Sequence, residues 1–108
     1  MKNRFGLLES DIEIILQTLT KFSKVEHAYI FGSRAKGNFK NGSDVDIALK
    51  GSQLDFNTLS EISYLLNEET SMPYKFDVLI YKSINEPALK EHIDRIGIEF
   101  YSLQKEFR

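Results

Sequence analysis

Six residues constrain this chain more than any others. Asp44-Val45-Asp46-Ile47-Ala48-Leu49 alternates with the period of a β-strand directly after the turn signal Asn41-Gly42. Successive side chains of a strand point to opposite faces, so Val45, Ile47 and Leu49 share one face and Asp44 and Asp46 the other. The apolar trio anchors the strand in a core. The two carboxylates are then held side by side on a rigid element, where their repulsion is unfavourable unless a cation or water screens it. Such a strand needs neighbours, and the sequence offers three: residues 27–31, stopped at Gly32, residues 74–81 after Pro73, and residues 98–101 after Gly97. Helical spacing runs over residues 10–22 through Ile12, Ile15, Leu16, Leu19 and Phe22, with Ser10 and Glu13 in the form of a capping box. It returns over 55–68 through Leu59, Ile62, Leu65 and Leu66. A last helix begins between Ser83 and Pro87 and ends at Gly97.

The order helix, strand, turn, strand, helix, strand, helix, strand implies an α/β (α+β) fold, a mixed sheet with helices packed on it. The connection over 32–43 is too short for a crossover helix, which predicts antiparallel pairing there. With 108 residues, 42% of them hydrophobic, and no repeat or Pro-rich linker, one continuous domain over 1–108 is expected. The absence of cysteine excludes a disulfide framework, a thiolate zinc site and a Cys nucleophile, and suits a reducing, cytoplasmic setting. Apolar clusters such as Ile14-Ile15-Leu16 and Val78-Leu79-Ile80 are far shorter than the ~18–20 residues of a membrane span. Glu9, Asp11 and Glu13 interrupt any secretory core, so no targeting segment is expected. A net charge of −2 argues against gripping a nucleic-acid backbone.

Local charge is more informative than the total. From Arg34 to Gly42 the chain carries Arg34, Lys36 and Lys40 with no acid, and Asp44 and Asp46 follow. An isolated Asp-x-Asp reads equally as two solvated acids at a strand entrance. Asp77 changes the weighing, because a carboxylate inside Phe76-Asp77-Val78-Leu79-Ile80 would be costly if buried and unpaired. It faces solvent, pairs with Arg34 or a lysine, or stands beside Asp44 and Asp46. The last arrangement gives three carboxylates on one face, an oxygen donor set suited to Mg²⁺. The preceding turn offers what a phosphate needs: close backbone approach at Gly32, a hydroxyl and N–H at Ser33, and cations at Arg34 and Lys36. It is not a P-loop, since Asn38-Phe39 stands where Lys-Ser/Thr is required. Nor is 44–55 an EF-hand, because Leu49 occupies the glycine position. His27 and His92 read as surface residues, and the aromatic residues as core.

Phe31-Gly32-Ser33-Arg34-Ala35-Lys36-Gly37, followed by Ser43-Asp44-Val45-Asp46-Ile47, resembles the signature of the DNA polymerase β-like nucleotidyltransferase superfamily: a Gly-Ser pair, ten residues, then Asp-x-Asp. The chain is most similar to its smallest members, the minimal nucleotidyltransferases (MNT) encoded beside a helical HEPN protein. The resemblance implies the palm-like fold of that family. It also implies Asp44, Asp46 and Asp77 as catalytic residues and as ligands of two Mg²⁺ ions, Asp77 on the acceptor side, with Gly32, Ser33 and Arg34 binding the nucleotide. The implied reaction moves a nucleoside monophosphate, AMP from ATP, onto a hydroxyl of a HEPN partner, as the antitoxin of a toxin–antitoxin pair. Two alternatives stay open: a binding subunit that neutralises its partner by occupancy, and a nucleotidyltransferase acting on a small molecule such as an antibiotic.

Overall fold

A computed structural model of the chain describes residues 3–103. Helix α1 (Glu9–Thr20) leads into β1 (His27–Phe31) and the single-turn helix α2 (Gly32–Lys36). Then follow β2 (Val45–Lys50), α3 (Phe56–Glu68) and β3 (Phe76–Ile80). A 3-10 turn (Tyr81–Ser83), α4 (Pro87–Ile96) and β4 (Ile98–Ser102) complete it. The elements fall where the periodicity places them, except that the 32–43 connection, read as a turn, opens with the short helix α2, and two elements differ at their ends. The cap of α1 comes from Asp11, whose Oδ2 accepts the Leu8 N–H at 3.0 Å, instead of from Ser10 and Glu13. Asp11, the residue after Ser10, reaches the free backbone donor, so the helix starts at Glu9, one residue early. The third strand is also shorter than its β-prone run, because Tyr74 leaves the sheet to bond Asp11 and Tyr81 turns into the 3-10 segment.

The sheet has the order β3-β2-β1-β4. β1 lies antiparallel to both β2 and β4, as the short 32–43 connection requires, while β2 and β3 are parallel. A parallel pair needs a crossover, and α3 supplies it. Asp55 caps this helix by accepting the Thr58 N–H at 2.8 Å. Val45, Ile47 and Leu49 of β2, with Ala28 and Ile30 of β1 and Phe76 of β3, bury one face against Ile15 and Leu19 of α1 and Ile62 and Leu66 of α3. On the opposite face Phe31 and Ala48 pack on Ile93 of α4, with Leu79, Tyr81 and Leu89 around them. Period-two alternation then dictates the rest: Asp46 shares its face with Ala48, on the α4 side and away from the main core. Among the described residues no helix is long and apolar enough to cross a membrane.

Candidate active site

The parallel register aligns Asp46 with Asp77, while Phe31 stands opposite Asp46 on the other side. Asp46 and Asp77 therefore project from one face of adjacent strands, and Asp44 lies just before β2 begins. The Val45 N–H donates to the Lys75 carbonyl at 2.9 Å and carries the ladder to this end of the strands. Asp44 and Asp77 are exposed and Asp46 is half-buried. None of the three carboxylates has a hydrogen-bond or ion-pair partner among the described residues. Burial, then the charges of Asp77 and Asp44, push the Asp46 carboxyl up to about 6, with the Arg34 charge opposing. Among the described residues no three acidic, His or Cys side chains close around a common point as they would around an ion. Like charges without a counter-ion have no reason to converge, and the two exposed carboxylates have freedom to swing inward. Three unpartnered carboxylates on one side, all oxygen donors, fit a hard divalent cation.

The turn is built against these acids. Gly32 takes φ +72°, and a Cβ at this position would collide with the Asp46 carboxylate. Glycine is required twice over, by the left-handed backbone and by the close approach. Ser33 follows, half-buried, and its hydroxyl bonds to no other described residue. Lys36 is exposed.

Arg34 does not join this surface. It is 1% exposed, and all three of its nitrogens donate to main-chain carbonyls. Nη1 bonds the Phe5 carbonyl at 2.8 Å, and Nη2 bonds the Ser43 carbonyl at 2.9 Å and the Asn41 carbonyl at 3.4 Å. The guanidinium lies over Phe39 at 5.2 Å and Tyr74 at 4.9 Å. It ties the N-terminal segment to the loop that delivers Asp44, and it reaches Asp46 only through its field. The resemblance implies Arg34 on the nucleotide; the structure turns it behind the loop, where carbonyls occupy its fork.

Three further residues matter here, two that linear reading passed over and one that it put on the surface. Gly6, at φ +74°, lies so close to the Phe39 ring that a Cβ would overlap it. Asn67 of α3 grips the start of β3, its Oδ1 accepting the Phe76 N–H at 2.7 Å and its Nδ2 donating to the Phe76 carbonyl at 3.0 Å. His92, expected on a helix surface, points inward instead: its Nε2 accepts the Gly32 N–H at 3.1 Å. The Gly6 and His92 contacts join segments distant in sequence and the Asn67 contact spans nine positions, and no local spacing announces any of them.

Known proteins share the family and the fold of this chain. Residues 13–106 match the family described as polymerase beta, nucleotidyltransferase. A protein of Methanocaldococcus jannaschii named "Putative protein adenylyltransferase" is 26% identical over 95 residues, covering 84% of this chain and 89% of that protein. Among solved structures, a toxin–antitoxin with AMP-PNP shares the fold at a TM-score of 0.69 and 24% identity, over 93% of this chain and 77% of that one. A tri-AMPylated HEPN toxin in complex with MNT antitoxin from Shewanella oneidensis gives 0.66 and 20%, over 92% and 76%. With the family match running over most of its length, this chain belongs to the polymerase beta nucleotidyltransferase family.

Proposed function

We propose that this chain is an Mg²⁺-dependent transferase that moves AMP from ATP onto a hydroxyl of a HEPN-type helical partner. The observation that carries the reading is the alignment of Asp46 with Asp77 on parallel strands, with the Gly32–Ser33 turn set against Asp46. The kinship with a named adenylyltransferase and the fold shared with antitoxins of HEPN pairs support the choice of donor and partner.

Asp44, Asp46 and Asp77 would hold Mg²⁺, which when bound supplies the charge stabilisation of an in-line displacement at phosphorus. The residues present do the rest. The free Ser33 hydroxyl binds phosphate oxygen, and Arg34 holds the 41–43 backbone so that Asp44 enters the site from a fixed direction. Asp77 lies on the edge strand of the sheet and is exposed, the side from which an acceptor side chain approaches. Its carboxylate takes the acceptor's proton as the acceptor oxygen bonds to the α-phosphorus and the bridging oxygen leaves with pyrophosphate.

The test uses the protein together with the HEPN-type protein encoded beside it, α-labelled ATP and Mg²⁺. Label should pass to the partner and be lost with Asp44→Asn. Absence of transfer from every nucleoside triphosphate would refute the reading. The rival reading is neutralisation by occupancy, which the toxin–antitoxin complex among the similar structures also allows. If replacement of Asp44, Asp46 and Asp77 together leaves the partner neutralised, occupancy suffices.

A further inference from the structure

We propose that His92 is a positioning residue for the Gly32–Ser33 turn, fixing its peptide plane from α4 so that Ser33 meets the donor's phosphates. The inference rests on the proposed reading of that turn as the phosphate-binding element.

Four observations converge on it. Gly32 sits at φ +72°, pressed against the Asp46 carboxylate, so its backbone has little latitude and much to lose from a rotation. Its N–H is held by His92 Nε2 at 3.1 Å, across 60 positions of sequence. The imidazole is itself held, edge-on to Phe31 with ring centroids 6.1 Å apart and planes at 76°. Next to it on the helix, Ile93 is buried against Phe31 of β1 and Ala48 of β2, so α4 is anchored to the strand that carries Asp46 and to the one that leads into Gly32.

Chemistry then limits what the bond does. The Gly32 N–H donates, so Nε2 must present its lone pair and the ring carries its proton on Nδ1. A donor taken by an imidazole is not offered to a phosphate. The turn is thus left with the Ser33 N–H and hydroxyl as its phosphate-facing groups, and the Gly32 N–H serves as the fixed point from which they are aimed. Among the described residues His92 makes no hydrogen bond or ion pair with the three acids, and in this reading it does not meet substrate, so its effect passes through the turn.

The experiment has a structural arm and a functional arm. In uniformly ¹⁵N-labelled wild-type protein, a scalar coupling between the Gly32 nitrogen and His92 Nε2 should be visible, with slow exchange of the Gly32 amide. Binding of ATP with Mg²⁺ is then measured by calorimetry for wild type, His92→Phe and His92→Gln. Phenylalanine keeps a ring against Phe31 and removes the acceptor, and is expected to weaken binding about tenfold, the effect of one net hydrogen bond. Glutamine places an acceptor near the Nε2 position and should recover most of it. Loss of binding in both variants with unchanged melting temperature, or equal affinity in wild type and His92→Phe, would overturn the proposal. So would a missing coupling. Wild-type protein that shows the coupling yet binds no nucleoside triphosphate would overturn the parent reading and the purpose given to the bond, and the intact coupling distinguishes that failure from the others.

Discussion

Replacing Asp46 with Asn should stabilise the metal-free protein, and the gain should depend on pH in a defined way. Asp46 carries its carboxyl at about 6 in place of 3.8 because it is partly buried and faces Asp77 and Asp44. At about 1.4 kcal/mol per pH unit that rise corresponds to roughly 3 kcal/mol. About half of the group's surroundings are solvent, which screens the interaction, and about 1–2 kcal/mol is the expected share. Below about pH 4 the carboxyl is protonated in both the folded and the unfolded chain, and the penalty is absent. Between about 4 and 6 the unfolded chain releases the proton first, so the folded state loses relative stability as pH rises. Above 6 the penalty is complete. Asn keeps the shape and removes the charge. In EDTA, Asp46→Asn should therefore melt about 5–10 °C above wild type at pH 7.5 and within about 1 °C of it at pH 3.5. Adding Mg²⁺ at pH 7.5 should raise the wild-type melting temperature and leave the variant's nearly unmoved. Urea denaturation at the same two pH values supplies the free energies. A variant no more stable than wild type at pH 7.5, or equally advantaged at both pH values, would refute the account of repulsion among the three acids.

Gly32→Ala combines a left-handed backbone with a clash on Asp46. It should cost about 1–3 kcal/mol and abolish Mg²⁺-dependent nucleotide binding, read by thermal melting and calorimetry. Arg34→Lys preserves charge but replaces a five-donor fork with a single ammonium, leaving carbonyls of Phe5, Asn41 or Ser43 unbonded. A loss of about 2–4 kcal/mol is expected in urea denaturation, and a purely surface role for the arginine would give almost none. Asn67→Ala frees the Phe76 N–H and carbonyl, and should cost about 1–3 kcal/mol with faster amide exchange at Phe76; unchanged exchange there would show that the edge strand holds itself.

The elements were legible because periodicity is a local property. The alternation of Val45, Ile47 and Leu49 against Asp44 and Asp46 names both the strand and its buried face, and the spacing of Ile12, Ile15 and Leu19 names a helix and its inner side. The pairing of β1 with β2 followed from a connection too short to cross the sheet. The three acids and the Gly-Ser turn were legible for a different reason, since a carboxylate in an otherwise apolar strand requires an explanation wherever it lands. Arg34 was misplaced because its position next to Ser33 says where its Cα lies, and a side chain of that length reaches either the cleft or the interior. Carbonyls of residues 5, 6, 41 and 43 decided for the interior.

By itself, then, the chain's order of residues determined which segments become strands and helices, which side of each is apolar, and that an acid pair follows a glycine-serine bend. Only the folded arrangement decided that β3 runs parallel beside β2 with Asp77 level with Asp46, that Arg34 is enclosed by backbone, and that His92 holds Gly32. Side-chain periodicity fixes a face but contains no information about which strand lies alongside or in what register, and a hydrogen bond across 60 residues leaves no trace in local spacing.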